Sequence, residues 1–224
     1  MVPIPSNTAD PTTRRQVFAA YEEAKRTGGL LVEHVAVQRK VGEGFKKLFS
    51  EVPRIEGERL MLDRVVDADA DALQDMIDNL PVQQYLPTYL FEKQFDDAHE
   101  AIGMLYGDLF KNKESLILAI RVKETGELAG LAEFYGLRDR LHKISVGSRL
   151  RECWWGHGLA TEATRLLVGY LYGETDIEII TASVMVGNKA SEHVLEKVGF
   201  IRTACNVEED WGFAEPVIVD KWFY

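Results

Sequence analysis

The sequence predicts a mixed-sheet α/β (α+β) layer fold, and three features carry the prediction. From Ile55 onward, short runs with strand character alternate with segments of helical periodicity. Two of those runs, SLILAIRV (115–122) and LAGLAEFY (128–135), flank Glu124-Thr125-Gly126-Glu127, a turn that folds them into a hairpin. A third, IEIITASVMV (177–186), is apolar at most positions, as a strand buried on both faces must be. Upstream of Ile55 a loose tail is followed by helical spacing alone. The chain therefore divides into an N-terminal helical extension, residues 1–54, and a layered domain, residues 55–224.

Residues 1–10, with Pro11 just beyond, read as an irregular tail because Pro3 and Pro5 disfavour regular structure. Between Thr12 and Thr27, Val17, Phe18, Tyr21 and Ala24 share one helical face, and Gly28-Gly29 supplies the left-handed stop. Leu31, Val35, Phe45, Leu48, Phe49 and Val52 continue at helical spacing across 30–52, with Gly42 and Gly44 as a break and Pro53 as the end. The apolar faces of these segments need cover, either as a clamp over the main domain or in a homodimer. Arg59 to Val66 is a strand with Leu60, Leu62 and Val65 inward; Asp67-Ala68-Asp69 opens a helix through Met76 and Ile77 that is over by Pro81. Phe95, Ala98, Ile102, Leu105 and Leu109 make a single amphipathic helix of 94–111. After the hairpin, 142–150 is a strand that leads through a glycine-containing loop into a helix from about Gly158 to Tyr172. Beyond 177–186, Asn188 to Val198 is the last helix and VIVDKWFY (217–224) closes the chain. The order is strand, helix, helix, three strands, helix, strand, helix, strands.

Length and charge narrow the function. A chain of 224 residues, 46% hydrophobic and 28% charged, has ample material for a core and exceeds the roughly 150 residues of an average domain. Its 36 acidic and 26 basic residues give a net charge of −10, which opposes non-specific attraction to nucleic acid or anionic lipid and suits a cationic partner. Cys153 and Cys205 are too few for a disulfide framework or a four-ligand zinc site. His34, His99, His142 and His193 have no metal-ligand spacing, so no metal is expected. No signal-peptide pattern opens the sequence and no run approaches the roughly 18 apolar residues of a membrane span. A cytoplasmic protein with no membrane or nucleic-acid partner is the expectation.

The most informative stretch is LRECWWGHGLATEA (150–163). A strand ends there, Gly156 and Gly158 free the backbone, and a helix begins with N–H groups that have no intrahelical partner. Such a terminus favours negative charge by about 0.3–1 kcal/mol when exposed, and a pyrophosphate can accept several of its N–H bonds at once. A Walker loop would need Gly-Lys-Ser/Thr, and a dinucleotide fingerprint would need glycine at Thr161; neither is present. The same glycines would also serve a plain strand-to-helix turn. In NKASEHVLEKVGFI (188–201), Asn188 caps a helix whose first turn holds Ser191, Val194, Leu195 and Val198 face inward, and Gly199 ends it.

Together the two segments resemble the acetyl-CoA-binding motifs of the GNAT acyltransferase superfamily, Arg/Gln-x-x-Gly-x-Gly/Ala, then Asn-x-x-Ser/Ala and a closing Gly-Phe. WWGHGLATEA, NKASEHVLEKVGF and the preceding KISVGSRL are most similar to the ribosomal-protein N-terminal (alanine/serine) acetyltransferase branch. Residues 59–224 follow that branch's order from GERLMLDRV onward. The resemblance implies a GNAT-like central sheet, mixed but mostly antiparallel and flanked by helices, with acetyl-CoA as co-substrate. It implies that the backbone of Cys153, Trp154, Trp155, Gly156, His157, Gly158, Leu159 and Ala160 cradles the pyrophosphate. Ser148, Arg149 and Leu150 would pair with the pantetheine arm as an added strand does, Asn188 would contact the same arm, and Ser191 would sit near the thiol. Two positions depart from the family pattern. Cys153 stands where Arg or Gln is usual, removing a side-chain contact to phosphate, and Leu195 stands where some members carry a tyrosine general acid; for that role the resemblance to the ribosomal branch points to Ser191.

The reaction so implied is direct attack on the thioester by a primary amine, borne by a protein N-terminus or a small molecule. It needs a neutral amine, a polarised carbonyl and a proton for the departing thiolate. An α-amino group with a pKa of about 8 is roughly a tenth neutral at pH 7, whereas a lysine amine at about 10.4 is not. Glu133, an acid inside the otherwise apolar LAGLAEFY, is the candidate base. Glu162, in a first helical turn, reads as a dipole partner. Gln83, Gln84, Tyr85, Tyr89, Asp96 and Asp97 are the candidates for lining an acceptor site. Two other readings stand beside this one on the sequence. One is a catalytically weak acyl-CoA-binding or regulatory module, given the missing arginine and tyrosine. The other is a nucleophilic enzyme using Cys153 and His157, with the thiol activated by the helix N-terminus.

Overall fold

The computed structural model describes residues 47–85, 95, 97–211 and 215–224. Among these, the strands β1 (Ile55–Glu56), β2 (Leu60–Asp63), β3 (Ser115–Val122), β4 (Leu128–Arg138), β5 (Lys143–Leu150), β6 (Ile179–Met185), β7 (Ile201–Glu209) and β8 (Val217–Phe223) form one sheet. Their order is β1-β2-β3-β4-β5-β6-β8-β7. Neighbours are antiparallel except β5 and β6, which run parallel and are joined by the crossover helix that a parallel pair requires. The helices are α1 (Ala70–Asp78), α2 (Leu80–Gln83), α3 (Ala98–Leu105), α4 (Asp108–Lys111), the crossover α5 (Leu159–Glu174) and α6 (Lys189–Val198). The mixed, mostly antiparallel sheet with flanking helices is the architecture the sequence predicts.

The middle of the sheet is apolar on both faces because both are covered. Leu116, Leu118, Ile120 and Phe134 have no measurable exposure, and Phe134 meets the Tyr170 ring of α5 at 6.1 Å between centroids. On the opposite face Ile117 and Leu131 are buried under α1 and α3. Two polar ties hold those helices. Arg121 on β3 reaches Asp63 at 3.2 Å and Asp69, just before α1, at 2.8 Å. Tyr106, at the end of α3, donates its hydroxyl to the Ile117 carbonyl at 2.9 Å and accepts from the Val65 N–H at 2.7 Å. Burial pushes its phenol up to about 12, so the hydroxyl keeps its proton.

The structure departs from the predicted elements at four places. The helices expected across 12–27 and most of 30–52 lie outside the described residues. Residues 47–50 form a turn with Phe49 at φ 68°, a left-handed conformation that no helix continues through. That turn buries the adjacent Leu48 and Phe49 together, the latter 5.7 Å from the Phe110 ring. The helix expected over 94–111 is two helices, because the chain breaks at Gly107 between α3 and α4. Pro81 does more than end a helix: it lies in the first turn of α2, whose cap Asn79 accepts from Val82 N–H at 3.1 Å. β7, which the sequence reading did not delimit, is an edge strand with two register shifts and Asn206 at φ 53°, so its side-chain alternation is irregular.

Gly130 on β4 sets the spacing to β5. A Cβ there would run into the Arg149 carbonyl oxygen and lie 2.8 Å from Leu150 Cα. Gly130→Ala is therefore expected to cost about 1–3 kcal/mol, read as a lower midpoint in urea unfolding; an unchanged midpoint would contradict the packing.

Candidate active site

The site is made by an interruption in the sheet. β5 and β6 are paired only at Lys143–Ile179, Ile144–Ile180 and Ser145–Thr181. Beyond these, β5 stays bonded to β4 as far as Leu150 and β6 stays bonded to β8 as far as Met185, so the two halves of the sheet part company. The backbone of 146–150 then faces a slot with no strand partner among the described residues.

Side chains alternate across a strand, so the register decides which face each wall residue belongs to. Glu133 and Tyr135 on β4, Gly147 and Arg149 on β5 and Ser183 and Met185 on β6 share one face. Val146 and Ser148, with Ala182 and Val184, point to the other, where α5 packs. Residues from both sets line the slot, together with Ser191, Val194 and Leu195 of α6 on the helix side and Tyr85 and Trp211. The slot thus passes through the sheet.

At Leu150 the slot wall β5 leads into the loop that opens α5. Gly156 and Gly158 have φ of 78° and 76°, the left-handed values that turn successive N–H groups toward one point. α5 has no side-chain cap, whereas α6 is capped by Asn188, whose Oδ1 accepts from Ser191 N–H at 3.2 Å. The first N–H groups of α5 are therefore left for an anion, and a phosphate fits them. Trp155 holds the loop by donating its indole N–H to the Leu150 carbonyl at 2.9 Å, and Trp154 packs on the core. Cys153 and His157 are exposed on the outside of this loop and neither lines the slot.

Behind the loop stands a pair the sequence reading split. Glu162 accepts from the Arg59 N–H at 2.8 Å, the Leu60 N–H at 3.2 Å and Arg59 Nε at 2.8 Å, while Arg59 Nη1 donates to the His157 carbonyl at 2.9 Å. Burial by itself would raise the Glu162 carboxyl, but the Arg59 and Leu60 hydrogen bonds outweigh it and hold the group below its ordinary range. Glu162, in the first turn of α5, thus ties that helix to the chain entering β2.

Of the predicted chemistry, Glu133 and Ser191 both reach the slot. Glu133 is half-buried opposite Gly147 and accepts from Ser115 Oγ. Leu195 is buried in the wall. Of the predicted acceptor residues, Tyr85 lines the slot and donates to the Gly187 carbonyl at 3.2 Å. Asp97 instead caps α3, accepting from the His99 N–H at 2.9 Å, and Gln83 turns inward to the Ile77 carbonyl. Tyr89 and Asp96 lie outside the described residues. Tyr135, Ser183 and Trp211 were not anticipated. The Trp211 indole donates to Glu209 Oε2 at 3.1 Å; Glu209 also accepts from Lys221, which in turn donates to Ser183 Oγ at 3.0 Å. Among the described residues no group of three His, Cys, Asp or Glu could hold a metal ion, and no helix is long and apolar enough to cross a membrane.

Residues 59–201 match the acetyltransferase (GNAT) domain. The chain belongs to the GNAT acetyltransferase family. It is similar to the uncharacterised N-acetyltransferase YoaA of Bacillus subtilis, 29% identical over 150 residues that make up 66% of this chain and 82% of that one. It is also similar to the [ribosomal protein uS5]-alanine N-acetyltransferase of Escherichia coli, 27% identical over 161 residues, 67% of this chain and 80% of the other. Its fold matches that of the ribosomal L7/L12 alpha-N-protein acetyltransferase RimL in complex with coenzyme A, with a TM-score of 0.65, 19% identity and coverage of 77% and 97% of the two chains. The chain is an N-acetyltransferase that moves acetyl groups from acetyl-CoA to amines, and the suspected ribosomal branch has its relatives among these proteins.

Because the folded carboxyl of Glu162 sits below the unfolded value of about 4.3, its contribution to stability is complete above that pH. It is lost as pH falls through the lower, folded value. Melting temperature measured from pH 7 to pH 3 is expected to drop more steeply below pH 4 for the native chain than for Glu162→Gln; parallel curves would remove Glu162 from the acid limb.

Proposed function

We propose that this GNAT enzyme acetylates the α-amino group of a protein N-terminus in the cytoplasm. The observation that carries the reading is the passage through the sheet, with Glu133 on one face and Ser191 beside the helices on the other. Acceptor and cofactor can meet there from opposite sides. The relatives named for ribosomal-protein N-termini support the choice of acceptor. So does the chemistry, since an α-amine with a pKa of about 8 asks less of a base than a lysine does.

The backbone N–H groups from Cys153 to Ala160 hold the pyrophosphate, with Gly156 and Gly158 opening the loop and the α5 dipole adding field. The stretch Ser148, Arg149 and Leu150, beyond the last β5–β6 pair and along the slot wall, takes the pantetheine amides as an added strand would. Asn188 spends its Oδ1 on the α6 cap, which leaves Nδ2 to donate to the same arm. Glu133 removes a proton from the ammonium, directly or through water, and the amine lone pair forms the new C–N bond. As the tetrahedral centre collapses, the C–S bond breaks, and Ser191 Oγ passes its proton to the leaving thiolate while taking up the second proton of the attacking nitrogen, so that it ends as a neutral hydroxyl and the product as a neutral amide.

Acetyl-CoA at 100 times its dissociation constant is expected to stabilise the chain by about 2.7 kcal/mol, several degrees of melting temperature. In thiol-release assays Glu133→Gln should lower kcat about 100-fold, with the loss shrinking as pH approaches the pKa of the amine, and Ser191→Ala about tenfold. KM for acetyl-CoA should stay within a few-fold in both. Turnover with polyamines or amino sugars but none with peptides bearing a free N-terminus would overturn the acceptor assignment.

A further inference from the structure

The phosphate cradle is built in a chain of net charge −10, yet no Lys or Arg occurs between Glu152 and Thr164. Position 153, where a cation or amide is usual, is Cys153. Arg151, which precedes that stretch, is bonded away from it, by Nε to Asp75 at 2.9 Å and by Nη1 to the Leu128 carbonyl at 3.3 Å. A guanidinium reaches the loop from a distant part of the sequence. Arg59, immediately before β2, is fixed on two sides, by Nε on Glu162 Oε2 at 2.8 Å and by Nη1 on the His157 carbonyl at 2.9 Å. Its third nitrogen, Nη2, lies 3.7 Å from where a Cβ on Gly158 would be, beside the first residue of the uncapped helix. Among the described residues Nη2 has no hydrogen-bond acceptor, and the side chain as a whole is 49% exposed.

We propose that Arg59 is a cofactor-binding residue whose Nη2 edge donates to the phosphates of CoA, supplying from outside the motif the charge that Cys153 does not. The inference rests on the slot being the acetyl-CoA site. Glu162 fits the same account. Unanswered, its carboxylate would repel phosphate from the first turn of α5; bonded to Arg59 and two backbone N–H groups, it instead orients the guanidinium with its outer edge toward the loop. A planar fork held at two corners loses little freedom when the third corner binds, and charge-assisted bonds of this kind are the stronger ones.

The test is calorimetric titration of CoA and of pantetheine, which lacks the phosphates, into the native chain, Arg59→Gln and Arg59→Lys. Arg59→Gln is expected to weaken CoA about tenfold, and Arg59→Lys, which keeps the ion pair with Glu162 but has no Nη2, at least threefold. Pantetheine should stay within twofold in both. Equal weakening of the two ligands would make Arg59 a structural tie only, and unchanged CoA affinity in Arg59→Lys together with Arg59→Gln would overturn the contact. Failure of the native chain to bind CoA at all would overturn the cofactor site itself, and the proposal with it.

Discussion

The parting of β5 from β6 after Ser145 is the constraint on which everything else in this molecule depends. A parallel pair continued to the ends of both strands would have satisfied the backbone of 146–150 and closed the sheet. Instead the pairing stops after three residues, while β4 holds one strand and β8 the other. Among the described residues this leaves a stretch of the β5 edge that no second strand covers, a feature that sheets normally avoid. In the proposed reaction it is the surface that takes the cofactor arm, and the core around it, Phe134 and Leu167 included, is fully buried.

The electrostatics of the site are local and mostly backbone in origin. The chain is strongly acidic, yet the left-handed glycines and the uncapped N-terminus of α5 present a concentration of N–H dipoles that the overall charge does not cancel at short range. The contrast between the two helices flanking the slot is instructive. α6 spends the Asn188 side chain on its own terminus, and α5 spends nothing. A helix terminus left without a cap is destabilised unless something else supplies the acceptors, and in the proposed complex the cofactor's phosphates supply them to α5.

Part of the slot wall is aromatic and depends on long-range contacts. Tyr85 is tied to the Gly187 carbonyl across 102 residues, and Trp211 is oriented through Glu209 and Lys221 back to Ser183 on the slot wall. None of these residues sits in a recognisable motif. Their place in the site follows from strand order β6-β8-β7, which brings the last two strands of the chain beside the slot.

Legible in the sequence alone were the hairpin of β3 and β4, the glycine turn into α5, the capped α6 with its Gly199 stop, and the family. Each of these is written in contiguous residues whose conformational needs are local. Glu133 and Ser191 were legible too, because an acid in an apolar strand and a hydroxyl beside a cap stand out from their neighbours. Only the tertiary structure decided that Asp97 is a cap and Gln83 an inward-facing residue, that 94–111 breaks at Gly107, and that Arg59 and Glu162, 103 positions apart, are one pair at the phosphate loop. Periodicity reports which face of an element is buried, whereas the partner across the gap is set by which elements the sheet order makes neighbours.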